Sequence, residues 1–586
     1  MKKKSIVFLL AVLLVFTVVL TSCGSGKTTQ QQGPAKEKIF RYVWQADIET
    51  LNAQASVNSG VLVEVYSWTN AGLFLTVPSP DGRSFQVVPN IAAGEPRMID
   101  RDGYVWQIDI RRDAKWHNGT PINADTFMYS YRMLLDPKIV NSMANFIYDR
   151  YVKVKNAREY YFQNRPENSP VAWEDVGIKK IGDYTIEITL AEKSNGEYLK
   201  RQFTDRSTYP VYEPYYEAGM NADRTETTYA STFAQYMGCG PYFYDTWNIG
   251  AEHIFVKNPD HWMSDRYKFD RVELRIVPDR NARVQMFNNG EIDYLGLDTI
   301  TLDYFRDDPR VRSYTGMEPG HIDVNSVNTN NPILANLNFR KALYHVINRK
   351  TLGDFLGVLP SGHYINHQAP GYDGMTYRDT PEGKAVVPAN FGYDPVLAKQ
   401  YFDRALAEMG LNRVTVELLY SEAGADYRQM AEFFEQDWPK VFGADKFTLN
   451  LRSVPDAMAW SLNKWRTNPN GFELGFNGWS SGLSRVFPFA AMQYFHDGYT
   501  SRPNSYTTPK FEAAWAACNN EETKSNMKLM TQRTAELERA YLEDVINIPL
   551  FQEIVRTIYS EKLVLPCPVY VPGIAFGASF ADKLVD

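Results

Sequence analysis

A thiol within reach of an imidazole is the minimum for nucleophilic catalysis, and Cys239 with His253 offers that pairing. The surrounding text, Gly238-Cys239-Gly240-Pro241-Tyr242, reads as a backbone turn, and nothing in the sequence orients the histidine, so a structural cysteine is expected. His363 and His367 stand four apart, a spacing that on a helix would face one metal ion. They fall in Pro360-Ser361-Gly362-His363-Tyr364-Ile365-Asn366-His367, loop text with no third ligand beside it, so solvated histidines and no metal are expected. Glu543 and Asp544 are adjacent on a helix and diverge, unlike a paired general acid and base. Gly26-Lys27-Thr28 ends like a phosphate-binding loop, but the glycine required five residues before Gly26 is Thr21. The sequence therefore predicts no catalytic residue, no cofactor and no enzyme.

Binding is better served than catalysis. In Gly475-Phe476-Asn477-Gly478-Trp479-Ser480-Ser481-Gly482 a strand, residues 472–476, ends in a Gly-Trp and small polar residues. That pattern leaves backbone groups open and offers a large ring at the mouth of a cleft. Asn477, Gly478, Trp479, Ser480, Ser481 and Gly482 are therefore candidate ligand contacts. The competing reading is a Trp buried beneath a turn. With 37 Tyr, 32 Phe and 12 Trp, stacking on sugar rings is open too, although most aromatics in a chain of this size belong to cores.

The elements that would carry such a site alternate in type. Residues 104–110 and 184–190 read as strands, and Asn123-Ala124-Asp125 caps a helix through Phe127, Tyr131 and Leu134. Residues 338–356 and 394–409 have helical periodicity, Gly410 stopping the second; 414–420 is a strand and 427–438 a helix. Such alternation gives mixed α/β domains with helices covering sheets. At 586 residues two or three domains are expected, and 44% hydrophobic against 22% charged residues describes a globular chain. With 62 Lys+Arg against 69 Asp+Glu there is no basic excess to bind nucleic acid.

Residues 1–22, three lysines and an apolar run from Ile6 to Leu20, read as a signal peptide. The run ends in Leu20-Thr21-Ser22-Cys23, which resembles the bacterial lipobox and makes Cys23 the expected site of lipidation. Residues 23–35 would then form a flexible tether, and no later run is long enough to span a membrane. The expected location is extracytoplasmic, anchored by lipid alone, at a periplasmic face or a cell surface. Cys239, Cys518 and Cys567 form no CxxC, and one bridge among them is left open.

Landmarks in order resemble the bacterial extracellular solute-binding proteins of family 5, the peptide-binding subunits of ABC importers. They are Thr50-Leu51-Asn52, Asn70-Ala71-Gly72-Leu73, Ile110-Arg111-Arg112-Asp113-Ala114-Lys115-Trp116-His117-Asn118-Gly119-Thr120-Pro121, and Gly238-Cys239-Gly240-Pro241-Tyr242 with Cys239 in a Thr place. Asn258-Pro259-Asp260-His261-Trp262, Gly290-Glu291-Ile292-Asp293, Phe339-Arg340-Lys341-Ala342-Leu343 and Ile548-Pro549-Leu550 follow. Residues 113–116 and the insertion 156–173 resemble the oligopeptide type.

The resemblance implies a periplasmic-binding-protein-like α/β fold (type II, cluster C), two lobes around a hinge plus an extra small domain. It places domain I at 36–72, 184–318 and 553–586, domain II at 73–183 and domain III at 319–552. It implies a monomer that captures an oligopeptide between closing lobes and delivers it to a membrane permease heterodimer or homodimer; an oligosaccharide ligand, or a sensing or adhesion lipoprotein without transport, are the alternatives. It adds Trp460 as a pocket aromatic, and Asn58 and Ser59 where relatives pair main chain with a bound peptide. It also implies an Asp three residues after the cleft Trp to neutralise a peptide ammonium. That position is Gly482, and no carboxylate occurs from Gly478 to Phe495.

Overall fold

The computed structural model describes residues 36–585 apart from 49, 56–59, 423–424, 456–457, 460–467, 480–481 and 498–506. Cys23, the tether, Asn58, Ser59, Trp460, Ser480 and Ser481 lie outside the described residues.

A strand with alternating burial, Ile39–Trp44, pairs in parallel along its whole length with Arg271–Ile276, and the hairpin Tyr242–Asn248 and Glu252–Lys257 extends that sheet. At the other end Val414–Ser421 pairs in parallel with Phe447–Val454 and with Leu474–Gly478. Two long strands, Val311–Val324 and Asn547–Tyr559, run through both halves and join them into one 11-stranded mixed sheet. Their register breaks where Thr315 and Pro319 face Ile554 and Gln552, and again between Gly320 and His321. Such bulges interrupt ladder bonds and bend the strand. The first spans residues 315–319 on one strand and 552–554 on the other, the second residues 320–321 and 549–551.

Each half has its own core. Phe40, Tyr42, Trp68, Tyr242, Phe269 and Leu274 fill the first, with Phe40 stacked on Phe269 at 4.9 Å. Leu343, Phe402, Val416, Phe434, Trp438 and Phe447 fill the second. At about 1.5–3 kcal/mol per fully buried large apolar side chain, each cluster opposes the chain entropy of its own half.

A smaller unit is built on a four-stranded sheet ordered Arg97–Met98, Val105–Asp109, Thr185–Thr189, Ile178–Gly182. The helix Ala124–Leu134 packs on it, capped by a reciprocal box in which Asn123 accepts from the Thr126 amide and the Thr126 hydroxyl accepts from the Asn123 amide. Ile186, Ile188, Leu199 and Phe203 belong to this core with Trp106, Ile108 and Phe127. The expected boundary after residue 183 thus cuts a strand from its sheet, because period-two text does not say which sheet a strand joins.

Other local expectations shift in the same way. The helix expected over 338–356 is two, Leu337–Val346 and Arg349–Leu356. Ile347 turns extended and Asn348 caps the second by accepting from the Thr351 amide, while the buried Arg349 guanidinium donates to Pro549 and Tyr344 carbonyls. Pro395–Met409 ends at Gly410, whose φ of +64° is the left-handed conformation glycine adopts without strain. Ala425–Phe442 extends beyond the expected 427–438, and the strand expected at 472–476 lies two residues later, at Leu474–Gly478. Among the described residues no helix is long and apolar enough to cross a membrane.

Candidate functional site

A cleft of about 540 Å³ opens where the small unit and the two sheet halves meet. The small unit contributes Phe85, Arg150 and Tyr151; the first half contributes Glu64, Asp205, Tyr209, Tyr314 and Tyr570; the second half contributes Gly482 and Arg485. Local structure aims these groups. Glu64 projects from the helix Gly60–Thr69, and Arg485 ends the short turn Gly482–Arg485. Tyr314 precedes the sheet bulge and stacks on Tyr570 at 3.8 Å between ring centroids. The volume and the mixture of rings with a few charged groups are those of a ligand pocket.

Charge is distributed unevenly in it. Arg150 is nearly buried, its guanidinium carbon 3.8 Å from the Phe146 ring centroid, and Nη2 reaches Asp205 at 3.2 Å. Asp205 also accepts from the Ser207 amide and hydroxyl. Among the described residues Arg150 Nε, which is buried, has no hydrogen-bond partner. Burial lifts the Glu64 carboxyl to about 7, partly offset by its hydrogen bond with Tyr42. Burial likewise lowers the His261 imidazole to about 3, so that ring is neutral at pH 7.

The predicted segment divides. Gly482 lines the cleft. Trp479, 3% exposed, does not: its ring packs on Tyr494 at 5.4 Å and its carbonyl accepts from the Tyr364 hydroxyl. Asn477 is buried as well, its amide donating to Asp323 Oδ2 at 2.8 Å and Tyr494 Oη at 3.0 Å. The short helix Pro488–Phe495, buried throughout, supplies the aromatic wall against which Trp479 turns inward. Gly478 ends the strand and pairs with Gly320 beside the bulge.

The other chemical candidates are structural. Burial pushes the Cys239 thiol up to about 12, the opposite of an activated nucleophile. His253 is oriented after all, contrary to the sequence reading, between Asp47 Oδ1 at 2.9 Å and the Tyr244 hydroxyl, but it is wholly buried in the sheet. His363 is buried rather than solvated, with its ring edge-on to His367 at 5.6 Å. Among the described residues no group of three or more His, Cys, Asp or Glu could hold a metal ion. Cys239, Cys518 and Cys567 are all free and buried. Glu543 pairs with Lys510, and Asp544 accepts from the Thr508 hydroxyl.

Several sequence landmarks converge on one joint. His117 donates its amide to the Gly238 carbonyl, its Nε2 meets the Gly240 carbonyl at 3.0 Å, and the Cys239 and Gly240 amides both donate to the Thr69 carbonyl. A Cβ on Gly240 would stand 2.4 Å from the Asn70 nitrogen, so only glycine permits this backbone contact. Trp262 donates to Asn90 at 2.9 Å and lies under the Arg111 guanidinium. These residues fasten the small unit to the first half at the cleft edge. Arg150, Arg485, Tyr314 and Tyr570 carried no readable signal, since only the fold brings them together.

Comparison with known proteins agrees with this architecture. Residues 86–501 match the model of bacterial extracellular solute-binding proteins, family 5 Middle. The oligopeptide-binding protein OppA of Bacillus subtilis is 23% identical over 573 residues, covering 94% of each chain. Among solved structures, the substrate-binding domain of an oligopeptide ABC transporter from Bacillus anthracis aligns with a TM-score of 0.78 at 20% identity, covering 94% of this chain and 99% of that one. Listeria monocytogenes OppA bound to peptide aligns at 0.76 and 20% identity, covering 94% and 100%. With the cleft, the bulged crossing strands and the joint, the family match has one reading: this chain belongs to the bacterial extracellular solute-binding proteins of family 5.

Proposed function

We propose that the chain is the substrate-binding component of an ABC importer and encloses an oligopeptide in the cleft between its two halves. The observation that carries this is the cleft itself: about 540 Å³, walled by all three parts of the fold and flanked by two bulged strands about which the halves can pivot. Relatives named as oligopeptide- and dipeptide-binding proteins support the ligand class. Binding energy would come from main-chain hydrogen bonds, ring contacts and exclusion of water on closure, with ligand favouring the closed state by its differential affinity. The chain performs no chemistry of its own in this reading. It works outside the cytoplasm as a monomer, tethered through lipidated Cys23, and presents its closed form to a permease dimer.

Native mass spectrometry of residues 24–586, expressed without lipid, tests the proposal. Release of short peptides on denaturation is the expected result. A discrete carbohydrate mass would move the ligand to oligosaccharide, and an empty protein that takes up neither would leave a sensing or adhesion role.

A further inference from the structure

Gly482 stands where two guanidinium groups converge. A Cβ built on it would lie 3.5 Å from Arg150 Nη2 and 3.8 Å from Arg485 Nη1, and would meet no other non-adjacent described residue within 4 Å. The Gly482 main chain is thus bare toward a point within reach of both cations, and no carboxylate on its own loop approaches that point, because residues 478–495 contain none. Around the cleft the described lining carries Arg150, Arg201 and Arg485 against Glu64 and Asp205. Asp205 is engaged by Arg150 and Ser207, and Arg201 lies over the Phe85 ring at 4.8 Å. An acidic chain, net −7, therefore lines its binding cleft with excess positive charge.

Resting on the reading that the cleft holds a peptide, we infer that its occupant places a carboxylate at Gly482, between Arg150 and Arg485, so that the substrates are acidic or amino-blocked peptides. A carboxylate there accepts charge-assisted hydrogen bonds from two planar donors and occupies the space a side chain would fill. An ammonium at the same point meets the Arg485 guanidinium and an Arg150 only partly compensated by Asp205, both at short range. Arg150 is held in advance by Asp205 and the Phe146 ring, so little ordering remains to oppose binding.

The test offers the intact protein a random pentapeptide library in free-amine, N-acetyl and N-succinyl forms and identifies the captured peptides by mass spectrometry. N-succinyl and Asp- or Glu-rich members are expected to be enriched about tenfold over free-amine neutral ones at low ionic strength. That enrichment should fall sharply at about 1 M salt, where the Debye length is about 3 Å. Gly482→Asp supplies the missing carboxylate from the protein and should reverse the order. Its Cβ has room, meeting the two arginine tips at ordinary contact distance, and a thermal melt checks that the variant is folded. Equal recovery of the three forms by the wild-type protein overturns the inference and leaves peptide binding standing. Recovery of none, in any form, overturns the peptide reading and the inference with it.

Discussion

Two arginine-bearing regions of the second half share ingredients and differ in use. Arg378 and Glu538 lie side by side, both buried, and every Glu538 oxygen is engaged: Oε1 by Arg378 and the Tyr364 and Ile365 amides, Oε2 by the Tyr377 hydroxyl. That pair is sealed and holds residues 361–369 against the helix Met527–Asp544. Arg485 instead faces the cleft beside Gly482, sharing it with Arg150. A guanidinium sealed among buried acceptors shapes the fold, whereas one that lines the cleft beside a glycine stands where it can shape selection of a ligand.

The sharpest way to separate them is stability. Glu538→Ala leaves Arg378 buried without its counter-charge and should cost about 3–5 kcal/mol by urea unfolding, against about 1 kcal/mol or less for Arg485→Gln. Equal losses would mean that both arginines are scaffold. Trp479→Ala probes the boundary between the regions. A buried ring of this size should cost about 3–5 kcal/mol of folding free energy, together with weakened peptide capture because Gly482 is three residues on. A loss of capture with no change in the unfolding midpoint would return the ring to the cleft.

Smaller effects concern pH. Glu64 is an acid whose folded pKa is raised to about 7 from 4.5. Below 4.5 both states hold the proton; between 4.5 and about 7 only the folded chain keeps it, so this contribution to stability is present at low pH and is lost as pH rises through that window. Its described neighbours Tyr42, Tyr294 and Tyr559 are all pushed further above the phenol range, so none titrates there. Glu64→Gln should flatten stability between pH 5 and 8 in denaturant titrations, and should also abolish a fall in capture of acidic peptides as pH rises through about 7. The smallest expected change lies away from both regions: Asn123→Ala should lower stability by about 1 kcal/mol, read as a shift of the melting temperature, with peptide capture unaffected.

Much of this molecule was legible residue by residue. The cap at Asn123, the stop at Gly410 and the strands near 105–109, 185–189 and 414–421 follow from interactions within a few residues, which the local text contains. The expected helix over 338–356 failed where the deciding partner was distant: Arg349 turns to the Pro549 carbonyl, and the chain breaks at Ile347 to allow it. The Gly238–Tyr242 text read as a turn; the chain bends at Gly240–Pro241 and enters a strand at Tyr242, and only the fold shows the bend docked on Thr69 and His117. Trp479 went the other way: an aromatic after a strand can face cleft or core, and the buried helix Pro488–Phe495 settled it.

By itself the sequence determined the α/β elements, their caps and the absence of a carboxylate after Trp479. Tertiary structure decided which sheet claims residues 185–189, that the two long strands bulge between the halves, and that Arg150 and Arg485 meet at Gly482. The physical reason is range: capping and periodicity act over one or two turns of chain, whereas the field inside a cleft is set by charges that only long-range packing brings within a few ångströms of each other.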